Sequence, residues 1–208
     1  MTSTERLYAL FKAVEYVVRS GIPGDFVECG VWRGGSVMMM ALALQRFGEV
    51  GRRLYCFDTF KGMPPPDPRD VRSESGVAAA EILGMADKQA EKSVWAIAPL
   101  DVVRGNLAST GYPPELITYC EGKVEDTLPG FAPEQIALLR LDTDWYESTR
   151  HELVHLYPRL AAGGVLIIDD YGYWRGAREA TDEYFLQTRH KMLLNRIDNT
   201  GRIGIKVD

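Results

Sequence analysis

Residues 139–149 read LRLDTDWYEST, and residues 165–174 read VLIIDDYGYW. Each is an apolar run that stops at carboxylates, Asp142 and Asp144 in the first, Asp169 and Asp170 in the second. Ionised side chains do not enter a core without partners, so both runs read as buried strands whose C-terminal ends open onto a polar site. In full the two strand candidates are IALLRLD from Ile136 and GVLIIDD from Gly164. Three more have the same character: DFVECG from Asp25, RLYCFD from Arg53 and LITYCEG from Leu116. Continuous apolar strands separated by helical segments predict a mostly parallel sheet covered on both faces, an α/β doubly wound fold of Rossmann-like type. The tail differs: KMLLNRID, a turn over residues 199–202 and then IGIKVD predict an antiparallel strand pair.

The chain has 208 residues, 46% of them hydrophobic, which suits one globular domain spanning residues 1–208. Its 24 basic and 29 acidic residues are interspersed, so neither a nucleic-acid face nor an anionic membrane patch is expected. The longest apolar run, VMMMALAL from Val37, falls short of the ~18 residues of a membrane span. With no basic-then-apolar leader, a cytoplasmic protein is expected. Cys29, Cys56 and Cys120 have no CxxC spacing and read as buried thiols. Within residues 1–23 a helix is predicted, with Thr2 and Glu5 as a capping box and Leu7, Leu10, Val14 and Val17 as its apolar stripe. Over residues 61–99 the alternation breaks at MPPPDPRD, which cannot be helix or central strand, and an insert or lid over a site is expected.

Strand one runs into VECGVWRGGS, residues 27–36. Gly30, Gly34 and Gly35 let the backbone turn sharply before a helix whose N-terminal amides face a ligand. The dinucleotide fingerprint would place a second glycine where this chain has Trp32, which argues against a pyrophosphate. Asp58, at the end of strand two, stands where a carboxylate grips a ribose diol. A ribose-bearing cofactor without a diphosphate fits both, and S-adenosylmethionine answers that description.

In order, VECGVWRGGS, CFDTFKGMPPPD, EGKVEDTLP, LRLDTDWYEST and LYPRLAAGGVLIIDDY resemble the macrocin O-methyltransferase (TylF-like) family of class I S-adenosylmethionine-dependent enzymes. The resemblance covers residues 24–184. It implies methylation of a small-molecule hydroxyl, typically on a sugar of a bacterial secondary metabolite such as an antibiotic, with a divalent metal, usually Mg²⁺. By motif it implies that Glu28, Gly30, Gly34, Gly35 and Ser36 hold the methionine part of the cofactor. Asp58, Thr59, Phe60 and Gly62 would surround the ribose and adenine, and Val124, Glu125 and Asp126 would border the adenine. Asp142, Asp169 and Asp170 resemble the family's metal ligands, and Asp144 its general base. A homo-oligomer is compatible with the resemblance. The segment before the first strand is shorter than the antibiotic-tailoring members lead one to expect, which leaves the acceptor open.

The chemistry of the residues agrees. Strand ends of a parallel sheet converge at one edge, and clustered carboxylates raise one another's pKa unless a cation lies between them. Oxygen ligands favour Mg²⁺, with Ca²⁺ or Mn²⁺ as alternatives. Asp144 would take the proton of the attacking hydroxyl. Trp32, Trp145, Tyr146, Tyr171, Tyr173 and Trp174 crowd the same edge and are candidates for walling an acceptor pocket. Two other readings compete: a metal-dependent glycosyltransferase built on Asp-Thr-Asp, and a silent methyltransferase-like binding module. HELVH at residues 151–155 matches the zinc-protease pattern. The helical stripe of Leu153, Leu156, Tyr157 and Leu160, however, places His151 and His155 opposite, toward solvent.

Overall fold

The computed structural model describes residues 2–91 and 93–207. Seven strands form one sheet: β1 (Asp25–Cys29), β2 (Leu54–Asp58), β3 (Ile117–Glu121), β4 (Ile136–Leu141), β5 (Leu160–Ile168), β6 (Asn195–Arg196) and β7 (Arg202–Ile205). Their order is β3-β2-β1-β4-β5-β7-β6. The first five run parallel, and β7 pairs antiparallel with both β5 and β6. The terminal hairpin is shorter than its sequence suggests: β6 holds two residues, because β7 offers pairing only to Asn195 and Arg196.

Residues alternate between faces along each strand, so two cores form. On one face Phe26, Cys56, Leu138, Val165 and Ile167 meet α1 (Thr4–Arg19), α2 (Gly35–Arg46) and α4 (Leu100–Ala108). On the other, Val27, Cys29, Leu139, Leu166 and Ile168 meet α5 (Val124–Thr127), α6 (Tyr146–Leu156) and α7 (Arg175–Thr188). Cys29, Cys56 and Cys120 are buried free thiols.

At the start of α1 the cap is Ser3, whose side chain accepts the Arg6 N–H; the expected Thr2–Glu5 box lies one residue out of register with it. The insert over residues 61–99 is largely irregular, with α3 (Ala79–Met85) and an antiparallel bridge between Val71 and Ala78. Tyr157, Leu153, Leu156 and Leu160 are buried as the helical stripe requires. His151 and His155 are half-buried rather than solvent-facing: their rings touch each other at 4.4 Å, and His151 Nε2 lies 3.4 Å from the Leu128 carbonyl. No helix among the described residues is long and apolar enough to cross a membrane.

Candidate active site

The C-terminal ends of β1, β2, β4 and β5 open into a cavity of about 700 Å³. Gly30 follows β1 with φ 81°, and a Cβ there would lie 2.0 Å from the Asp142 carbonyl oxygen, so only glycine lets the two loops touch. The turn is pinned by Asp58. Its Oδ2 accepts the N–H groups of Val31 and Trp32 at 2.7 and 2.9 Å, and its Oδ1 accepts that of Phe60 at 2.7 Å. Trp32 and Phe60 sit at φ 48° and 53°, a region costly for bulky residues, and the Asp58 bonds offset that cost. Burial raises the Asp58 pKa while the three backbone N–H bonds oppose the rise. Asp58 lines the cavity, with most of its accepting capacity spent on the glycine loop and on Phe60. Helix α2 then starts after Gly34, at φ 85°, with no side-chain cap on its first amides.

Below the loop lies a residue that the motif reading passed over. Arg140 is 2% exposed, the penultimate residue of β4 and in register with Glu28 of β1. Its guanidinium donates to Glu28, to Asp142 at 2.7 Å and to Asp169 at 2.5 Å. Among the described residues Glu28 Oε2 has no hydrogen-bond partner, and Glu28 lines the cavity. Burial outweighs the Arg140 pairing and pushes the Glu28 carboxyl up to about 7.

At the other end of the cavity Asp142, Asp144 and Asp170 each place an oxygen within 4.8 Å of the others. Burial pushes Asp144 up to about 7 and Asp142 and Asp170 well above the usual carboxylate range. Asp144 holds φ 69°, which aspartate tolerates better than most residues. Asp169, expected as a ligand in this group, points to the α1 face instead, where Arg140 and Arg6 occupy its two oxygens. Arg6 also donates to Asp198 at 2.8 Å and to Thr200, tying α1 to the terminal hairpin.

Of the expected cofactor residues, Glu28, Gly30, Gly35, Ser36, Asp58, Thr59, Gly62, Val124 and Glu125 line this cavity. Gly34 instead neighbours Val103 and Leu107, Phe60 is buried against Tyr119, and Asp126 is exposed, on the side of α5 that turns from the core. Among the aromatic residues, Trp32, Tyr173 and Trp174 line the cavity. Trp145 packs edge-on against Trp174, Tyr146 bonds Glu183, and Tyr171 bonds Asp182. In HELVH Glu152 is buried beside Leu153 and accepts from Thr143 Oγ1 at 2.9 Å, and the two histidines lie outside the cavity.

A parallel sheet with one antiparallel strand wedged between β5 and β6, carrying its glycine loop and acids at the strand ends, is the fold of a class I S-adenosylmethionine-dependent methyltransferase. The sequence matches the macrocin-O-methyltransferase (TylF) family over residues 1–203. It is 37% identical over 201 residues to the 8-demethyl-8-(2,3-dimethoxy-alpha-L-rhamnosyl)-tetracenomycin-C 4'-O-methyltransferase of Streptomyces olivaceus, covering 97% of this chain and 73% of that protein. The demethyldecarbamoylnovobiocin O-methyltransferase of Streptomyces niveus is 35% identical, over 88% of this chain and 66% of its own length. The structure of the O-methyltransferase NovP superposes with a TM-score of 0.81 at 32% identity, covering 98% of this chain and 80% of that one. The chain belongs to the macrocin O-methyltransferase (TylF) family and is an S-adenosylmethionine-dependent O-methyltransferase. The glycosyltransferase and protease readings of Asp-Thr-Asp and HELVH fall with that assignment.

Proposed function

We propose that this chain methylates a hydroxyl of a glycosylated small molecule, with a divalent cation, Mg²⁺ by donor chemistry, held by Asp142, Asp144 and Asp170. One observation carries the reading: a single cavity joins the unpaired Glu28 Oε2 and the glycine loop at one end to the three carboxylates at the other. The orphaned oxygen suits the α-ammonium of S-adenosylmethionine, the uncapped amides of α2 suit its carboxylate, and Val124 and Glu125 border the adenine. A trio of hard oxygen donors fits Mg²⁺ with coordination positions left for water or a diol. The relatives' names mention rhamnosyl and novobiocin substrates, which supports a glycosylated acceptor and a role in antibiotic biosynthesis.

When bound, the cation lowers the pKa of an acceptor hydroxyl. Asp144 would take the hydroxyl proton, and bound S-adenosylmethionine would supply the methyl group and depart as neutral S-adenosylhomocysteine. Tyr173 and Trp174 wall the acceptor end and exclude water. Asp169 holds Arg140 and Arg6 in place rather than ligating. Calorimetric titration with S-adenosylhomocysteine, with Mg²⁺ and again with excess chelator, tests this together with turnover on rhamnosylated aglycones. Micromolar cofactor binding in both buffers, with turnover lost in chelator, is the expected result. Full turnover in chelator removes the metal from the proposal, and absence of binding removes the cofactor site.

A further inference from the structure

Asp70, the last residue of MPPPDPRD, belongs to none of the site motifs above, yet it is 1% exposed. Its Oδ1 accepts the N–H of Tyr146 at 2.8 Å and its Oδ2 accepts that of Asp67 at 2.7 Å. Tyr146 is the first residue of α6, and Trp145 before it supplies no side-chain cap. Asp70 therefore provides, from the insert, the capping oxygen that the α6 sequence lacks. Gly176, second residue of α7, makes room for it: a Cβ there would lie 1.9 Å from Asp70 Oδ1 and 3.1 Å from Tyr146 Cβ.

One carboxylate thus sits where the insert meets the starts of both helices that follow the acidic loops. Other bonds run the same way. Trp145 Nε1 donates to the Pro64 carbonyl at 3.0 Å, Arg175 N–H to that of Val71 at 2.9 Å, and Ser73 N–H to that of Tyr173 at 2.8 Å. The Arg69 guanidinium lies 3.3 Å from the Tyr146 ring centroid. Met63 and Pro64, from the same insert, wall the cavity.

We infer that Asp70 is a positioning residue that seats the insert on the N-termini of α6 and α7, so that the 62–64 wall and the two acidic loops form one preassembled acceptor pocket. This rests on the proposed function for the identity of that pocket. It also makes the insert a fixed wall rather than a lid.

Amide hydrogen exchange with calorimetry for S-adenosylhomocysteine and Mg²⁺ tests it without an acceptor. In Asp70→Ala, exchange at Met63 and Tyr146 is expected to speed up at least tenfold and Mg²⁺ binding to weaken at least threefold. S-adenosylhomocysteine affinity should stay within about twofold, because the glycine loop is untouched. Asp70→Asn keeps an oxygen for the Tyr146 N–H, so it should restore protection there and loosen only the Asp67 side. Gly176→Ala should reproduce the Asp70→Ala pattern alone yet add nothing to it in the double variant, since the methyl then fills the space the carboxylate left. Unchanged exchange, cofactor affinity lost in parallel, no recovery in Asp70→Asn, or additive losses in the double variant would each overturn the inference. If Asp70→Ala fails to fold, the Asp70→Asn and Gly176→Ala pair decides alone. A wild-type chain that binds neither S-adenosylhomocysteine nor Mg²⁺ would sink the functional reading and leave the exchange result to judge Asp70.

Discussion

Replacing Arg140 by methionine is the sharpest perturbation of the site. Three carboxylates, on Glu28, Asp142 and Asp169, share this guanidinium in the interior. Removing one member of a buried ion pair costs about 3–5 kcal/mol, because it strands the partner rather than merely losing an attraction. Three partners do not triple that figure. Asp169 keeps Arg6, and a stranded carboxyl takes up a proton instead of staying charged. Glu28 loses the most, since Arg140 is its ion-pair partner on this face of the sheet. Methionine nearly fills the vacated volume, so the cavity contribution is small. At about 2–4 °C per kcal/mol for a chain of this size, the melting temperature should fall by roughly 6–20 °C at pH 7.

The deficit should also depend on pH, and the sign is fixed by Glu28. Its folded pKa of about 7 lies above the value of about 4.3 in an unfolded chain. The native state therefore retains a proton that the unfolded state releases, and the associated stability is full below the unfolded pKa and lost as pH rises through about 7. Taking Arg140 away raises the folded pKa further and extends that window upward. Urea denaturation of Arg140→Met and wild type at pH 5 and pH 8, followed by circular dichroism, should show the larger difference at pH 8. A difference below about 1 kcal/mol at pH 8 would refute the hub reading, given the cost of an unpaired buried charge, and so would a larger deficit at pH 5.

Asp144→Asn keeps a residue tolerant of φ 69° but removes a charge from the trio, so calorimetry should show Mg²⁺ affinity at least about tenfold weaker, near 1.4 kcal/mol, with S-adenosylhomocysteine affinity unchanged. Arg6→Ala should unlatch α1 from Asp169 and the hairpin at a cost of about 2 kcal/mol, seen as lower stability and faster proteolysis near the N-terminus. Asp198, held down to about 2 by the N–H groups of Gly201 and Thr200 and by Arg6, contributes stability above its unfolded pKa that is lost as pH falls through about 2; Arg6→Ala should shrink that contribution and its acid limb. His151→Ala with His155→Ala should leave turnover within about twofold, because both rings lie outside the cavity.

Where chemistry is repeated locally, the sequence announces it. Apolar runs stopping at Asp58, Asp142 and Asp169 marked the strand ends, and Gly30 and Gly34 marked the turn between the first strand and its helix. Arg140 left a signal too: a cation in an otherwise apolar strand, two residues from Asp142 and so on its face of the sheet, has to find an acid. Arg6 and Asp70 left none. Arg6 finds Asp169 across 163 positions, and Asp70 finds Tyr146 across 76, from a proline-rich segment without periodicity. Face assignment explains the rest of the difference. Asp169 and Asp170 are adjacent, and adjacent residues leaving a strand point to opposite sides, so one serves the arginines and the other the trio.

On the proposed reading, that division also makes the acidic end suited to incoming positive charge. Five carboxylates, Glu28, Asp142, Asp144, Asp169 and Asp170, meet Arg140 and Arg6, the latter shared with Asp198, which leaves an excess of negative charge if all ionise. The raised pKa values of Glu28, Asp142, Asp144 and Asp170 are the protein's response without ligands: protons make up the difference. On the proposed reading a divalent cation and the cofactor's sulfonium together supply three positive charges, so binding both should expel protons from the site. Methyl transfer then removes the sulfonium charge and leaves a proton on Asp144, and the buried site passes through the reaction with its net charge unchanged.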